Sequence, residues 1–134
     1  MIEPSEVLIR LILAVIAGGL IGLEREVVHK PAGVRTHMLV SLGSALFILL
    51  TIEEFPSEMA RVVAGVATGL GFLGAGTIFK AKNEVHGLTT AASIWAVSGV
   101  GMAVGMGYYL MTVTAVILVL IVLQLNKFEF FRKL

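Results

Sequence analysis

The chain has 134 residues, 57% of them hydrophobic and only 14% charged, with a mean hydropathy of +0.98. A soluble domain carries about a quarter charged residues, so the composition excludes a soluble globular fold and predicts an integral membrane protein. A net charge of +1 with no broad basic face argues against nucleic-acid binding, and the absence of cysteine removes disulfides, thiolate metal sites and thiol catalysis together.

The N-terminus lacks a basic leader and carries Glu3 and Glu6. No small-residue cleavage site closes a short apolar core, so the first segment is expected to stay as a membrane helix. Five runs approach the ~20 apolar residues that a spanning helix needs. They are Val7–Leu23, Thr36–Ile52, Val62–Phe79, Leu88–Met106 and Tyr108–Leu125. The uncharged stretch Leu88–Leu125 would be about 57 Å long as one helix, nearly twice the ~30 Å hydrocarbon core. It must fold back, and Gly105-Met106-Gly107 is the natural hinge. The expected fold is an all-α polytopic bundle of five transmembrane helices in a single domain spanning 1–134.

One side of this topology collects Arg25, Lys30, Arg35, Lys80, Lys82, Lys127, Arg132 and Lys133, eight of the ten basic residues. The other holds Arg10 and Arg61 among Glu3, Glu6, Glu53, Glu54 and Glu58. The positive-inside rule then predicts N-terminus out and C-terminus in. Tyr108 and Tyr109 fit an outer interfacial belt, and Phe128, Phe130 and Phe131 an inner one. No internal repeat is apparent, and five spans do not divide into inverted halves.

Small residues mark where membrane helices can touch. Gly18, Gly22 and Arg25 share one face of the first helix, with Glu24 directed away from it. The third helix has Gly65, Gly69 and Gly76 on one face and Ala67, Gly71 and Gly74 on the other, which predicts a position between neighbours at the centre of the bundle. Its glycines serve either tight packing or a path lined by exposed backbone. The GxGxxG-like run within Gly69–Gly76 lies inside a span and lacks a phosphate-binding context. Ala92, Ala96, Gly99 and Ala103 form a seam on the fourth helix, and Trp95 is expected to fill the bundle interior.

Polar residues gather where the first helix meets the second. Glu24, Arg25 and Glu26 end one helix; Arg35, Thr36 and His37 begin the next; Lys30-Pro31-Ala32-Gly33 has the residue order of a type I turn between them. Arg35 is placed to pair with Glu24 or Glu26, either as an interfacial brace or as a polar site open to ions or a partner. Thr89 and Thr90 open the fourth helix. A threonine there is a natural N-cap, and the helix end could also receive a carboxylate such as Glu24 or Glu26. His29, His37 and His86 lie on the same side as Glu24, Glu26 and Glu84, but no metal-ligand spacing supports a site, and the metal assignment stays unknown. Glu6 and Arg10 read as an i,i+4 pair on a helix surface. No residues combine into a nucleophile with its base, so no enzymatic activity is expected.

Four ordered motifs resemble the MgtC/SapB membrane family. They are Gly18–Glu26 (GGLIGLERE), Pro31–His37 (PAGVRTH), Arg61 followed by Gly69–Gly76 (GLGFLGAG), and Gly87–Ala92 (GLTTAA). The resemblance implies a multi-pass inner-membrane protein linked to magnesium limitation. It also implies a regulatory protein acting on other membrane machines, the F-type ATP synthase among them, or alternatively an oligomeric channel or transporter for Mg2+ or another cation. Mg2+ enters as a transported or sensed ion, and no cofactor is expected. Longer members add a cytoplasmic ACT-like domain, which this chain is expected to lack. Membrane lipid, further copies of the chain and another membrane complex are the expected partners. The absence of acidic groups from the middle of every span tilts the reading toward regulation.

Overall fold

The computed structural model describes residues 1–128. Phe130 and Phe131, placed above in an interfacial belt, and Arg132 and Lys133, placed on the basic side, lie outside the described residues. The elements follow as α1 (Pro4–Val27), α2 (Val34–Glu54), a 3-10 turn (Pro56–Glu58), α3 (Met59–Ala75), β1 (Phe79–Ala81), β2 (Glu84–His86), α4 (Leu88–Gly105), α5 (Tyr109–Gln124) and a final 3-10 turn (Leu125–Lys127). Five helical segments are long and apolar enough to cross a membrane.

Local chemistry accounts for the helix ends. Pro4 sits at the start of α1, where its missing N–H costs nothing. The α4–α5 hinge is a Schellman motif on Gly107 (φ +81°). Tyr108 N–H donates to Ala103 O and Gly107 N–H to Val104 O. α1 ends the same way without glycine: His29 takes the left-handed conformation (φ 55°), and Lys30 and His29 N–H donate to Arg25 O and Glu26 O.

The helices pack around α2 and α4. A Cβ on Gly18 would stand 2.4 Å from His37 O and 2.8 Å from Ser41 Cβ, and one on Gly22 2.7 Å from Val34 Cα. From the other side, a Cβ on Gly101 would stand 2.2 Å from Ser41 O, and one on Gly105 2.9 Å from Ala45 O. α2 is thus gripped between glycine faces of α1 and α4, close enough that only hydrogen fits at the crossings. Ile21, Ile48, Ile94, Val97, Val100 and Val104 fill the space between, each almost fully buried.

This arrangement corrects three expectations. The centre is α4, 56% buried, whereas α3 is 11% buried and lies on the flank; space is open around Gly65, Gly69 and Gly71. A smooth helix face states how closely a neighbour can come, not whether one is there. The closest contacts of α4 lie at Gly101 and Gly105 rather than along the predicted line, of which Ala103 is buried and Ala96 half-buried but Ala92 and Gly99 are exposed. Trp95 is 57% exposed and faces outward, because Ile94, Val97 and Ser98 take the inward positions around it.

The third span also ends before its apolar run does, at Ala75 rather than Phe79. Gly74 O accepts from Thr77 N–H and Thr77 Oγ1, which ends the helix, and the chain turns into a β-hairpin. Lys82 (φ 48°) and Asn83 (φ 67°) make its two-residue loop, with Ala81 opposite Glu84 and the Phe79 and His86 rings stacked 5.3 Å apart. Gly87 (φ +88°) leads from the hairpin into α4, and a side chain there would collide with Thr77 O.

Candidate functional site

Six of the eight described Lys and Arg residues gather at one end of the bundle, where α1 ends, α2 begins, the hairpin turns and α4 starts. Arg25 is 3% exposed, and its Nε donates to Glu24 Oε2 at 2.5 Å. Neighbouring helix positions do not normally face each other, yet the long arginine stem folds back and buries both groups. Glu24 is therefore not directed away from the seam as its helical position predicts. Its side chain is 7% exposed, and its Oε1 is buried with no hydrogen-bond partner.

Glu26 caps α2. Its Oε2 accepts from Val34 N–H at 2.7 Å, and a Cβ on Gly33 would stand 2.2 Å from that oxygen. The carboxylate meets the positive end of the helix dipole, so the carboxylate-to-helix contact forms at α2 rather than at α4. Arg35 points outward from the first turn of α2. Among the described residues it forms no ion pair, and the predicted bridge to Glu24 or Glu26 is absent. The geometric reason is that Glu24 is engaged by Arg25 and Glu26 by the α2 backbone. Thr36 beside it is half-buried.

His37 is fully buried. Nδ1 lies 2.9 Å from Gly33 O and Nε2 3.0 Å from Ser93 Oγ, while Ser93 Oγ lies 2.8 Å from Thr90 O. A carbonyl only accepts, so Nδ1 carries a hydrogen. With a neutral ring, the single Ser93 hydroxyl proton then faces two acceptors, His37 Nε2 and Thr90 O. The hydroxyl is shared between them, at 3.0 Å from Nε2 and 2.8 Å from Thr90 O. This chain ties the start of α2 to the start of α4.

Thr90 is buried beside Ser93, and Thr89 is exposed. Neither is the N-cap: that position is Gly87, whose left-handed backbone provides no side-chain cap. Of the candidate cluster, Glu24 and Arg25 form one buried pair, and His37 and Thr90 are joined through Ser93. Gly18 and Gly22 lie against α2, Gly74 against Ala91 of α4, and Gly65, Gly69, Gly71 and Gly76 are exposed on α3. Among the described residues no three His or Glu side chains converge on a common point. His29 is exposed in the first turn, and His86 is stacked on Phe79.

The opposite end holds a cluster that sequence reading missed. Arg10 Nη1 donates to Gly105 O at 2.8 Å and its Nε to Glu6 Oε1 at 2.9 Å, while Tyr109 Oη donates to the same Glu6 oxygen. Glu6–Arg10 is thus a clamp that joins α1 to the α4–α5 hinge and satisfies the negative end of α4. Only the i,i+4 spacing was visible in the sequence. Gly101-Met102-Ala103-Val104-Gly105, a GxxxG pattern, was the overlooked signal for the α2–α4 contact.

The profile of the MgtC family matches residues 11–129. The chain is 42% identical over 129 residues to the Escherichia coli (strain K12) protein named "Putative magnesium transporter YhiD", covering 90% of this chain and 60% of that protein. It is 39% identical over 113 residues to "Protein MgtC" of Salmonella typhimurium (strain LT2), covering 84% of this chain and 49% of that protein. An uncharacterized Haemophilus influenzae protein is 36% identical over 137 residues, covering 92% of this chain and 58% of that protein. The chain therefore spans about half to three-fifths of the length of these relatives. No solved structure matches it. Five apolar helices and a family profile that covers nearly all of them lead to one conclusion: this chain is a multi-pass membrane protein and belongs to the MgtC family.

Proposed function

We propose that this chain is a non-enzymatic regulatory protein of magnesium homeostasis that docks against another membrane complex. The observation that carries this reading is the position of the acidic groups. All eight described glutamates lie in terminal helical turns, loops or the β-hairpin, and away from Arg25 and His37 at the basic end the α1–α2–α4 interior is filled by aliphatic side chains and small polar ones. A path for a divalent cation through one protomer would need carboxylates or carbonyls along its length. The open small-residue face of α3, with Gly65 and Gly69, supports docking of another helix, from a second copy or from a partner. Resemblance to the MgtC/SapB family makes the F-type ATP synthase the first complex to test. The charge asymmetry of the two bundle ends supports N-terminus out and C-terminus in, within the inner membrane.

The alternative is an oligomeric Mg2+ channel or transporter. It is favoured by the name of the Escherichia coli relative and by the buried, unpartnered Glu24 oxygen. Purified chain in liposomes distinguishes the two. Regulation predicts no Mg2+ flux above protein-free vesicles, with recovery of a membrane complex on crosslinking in cells. Flux that Glu24→Ala abolishes would establish the transport reading instead.

A further inference from the structure

A cavity of about 510 Å³ opens between the ends of α1 and α5 and the start of α4, lined by Glu24, Arg25, Lys30, Thr89, Asn126 and Lys127. Thr89, Val122 and Leu123 also line a second cavity of about 250 Å³, an apolar groove that runs on between α4 and α5. Ala92 and Ala96 give that groove its depth, and Leu118 and Val119 line its far side. A basic cup opening into an apolar groove at one end of a membrane bundle has the layout of a lipid site.

The charges narrow the ligand. Arg25 is engaged by Glu24, and Lys30 and Lys127 add two positive charges to the wall that form no ion pair among the described residues. α4 begins there without a side-chain cap, so its first N–H groups are free to meet an anion. Glu24 supplies an independent constraint: its Oε1 is buried without a partner, an acceptor that requires a donor. A phosphodiester cannot supply one, but a hydroxyl beyond the phosphate can. An ammonium headgroup would also donate, yet it would do so among three cationic side chains.

We propose that the cavity and groove bind one anionic glycerophospholipid of the phosphatidylglycerol type. Its phosphodiester lies against Lys30, Lys127 and the N-terminus of α4. A headgroup hydroxyl donates to Glu24 Oε1, and one acyl chain follows the α4–α5 groove.

The test is thermal unfolding of the delipidated full chain in neutral detergent, with each lipid added at equal mole fraction. Dioleoylphosphatidylglycerol is expected to raise the midpoint by several degrees, and phosphatidylcholine and phosphatidylethanolamine are not. Phosphatidylethanol, an anionic phosphodiester without the hydroxyl, is expected to give a smaller shift; an equal shift overturns the assignment of Glu24. Glycerol 3-phosphate tests the soluble source of the same chemistry, and a shift from it overturns the lipid assignment. Lys30→Gln with Lys127→Gln should abolish the phosphatidylglycerol shift, whereas Lys80→Gln with Lys82→Gln, on the hairpin, should preserve it. Equal loss in both pairs would show general surface attraction and overturn the site. Ala92→Phe, at an exposed position on α4, should remove the shift by filling the groove; an unchanged shift places the acyl chain elsewhere.

Discussion

Single residues at the basic end serve the backbone before they serve any ligand. Glu26 satisfies an N–H of α2, and Gly33 has no side chain because the Glu26 carboxylate occupies that space. His29 holds a left-handed conformation that glycine adopts more readily. Because His29 is exposed, His29→Gly should stabilise the fold by about 1 kcal/mol, the cost of the left-handed region for a residue with a Cβ. A higher midpoint of thermal unfolding in detergent is the expected outcome, and an unchanged or lower one would show that the imidazole makes a compensating contact. None of this was legible beforehand. Glu24 and Glu26 read as ending one helix and Arg35 as opening the next, close enough to pair, but which carboxylate meets which donor depends on the exit angle of α1.

The same contrast governs whole elements. Two smooth helices have opposite uses: Gly101 and Gly105 of α4 are closed against α2, whereas Gly65, Gly69 and Gly71 of α3 are open. Gly101→Ala should therefore destabilise the protomer. The added methyl would stand 2.2 Å from Ser41 O, and separating two packed helices costs about 1–3 kcal/mol. Gly69→Leu should leave the protomer's unfolding midpoint unchanged and reduce its assembly, measured as oligomer mass in detergent. A fall in the midpoint for Gly69→Leu, with assembly unchanged, would place that face inside the fold. Hydropathy located all five helices because a span must be apolar along its length whatever it touches. It overran α3 because the hairpin that follows carries Ile78, Phe79 and Val85, which prolong the apolar signal.

Across the whole molecule, two polar clusters hold opposite ends of one apolar core. His37–Ser93–Thr90 joins α2 to α4 at the basic end, and Glu6–Arg10 with Gly105 O joins α1 to the hinge at the acidic end. Ile2 N–H adds a contact to Glu53 across α1 and α2. Arg10→Gln removes the charged donor from Gly105 O and Glu6. A loss of about 1.5–3 kcal/mol is expected for hydrogen bonds that involve a charged group, read as a lower unfolding midpoint. Removal of the Tyr109 hydroxyl in Tyr109→Phe should cost less, since Arg10 still holds Glu6. A larger loss for Tyr109→Phe than for Arg10→Gln would reverse the order of importance within the clamp.

The amino-acid sequence by itself determined the membrane class, the number of helices, the fold-back at Gly105–Gly107 and the segregation of charge between the two ends. These follow from local composition, because lipid penalises every exposed charge and unpaired backbone group wherever the segment lies. The tertiary structure alone decided which glycine faces are closed, that α4 rather than α3 is central, and that Glu24 turns to Arg25 while Arg35 forms no ion pair among the described residues. It also converted a surface ion pair into a clamp between helices. Such outcomes depend on helix rotation and tilt, to which a periodic pattern of small residues is blind until a neighbouring helix supplies the other half of the contact.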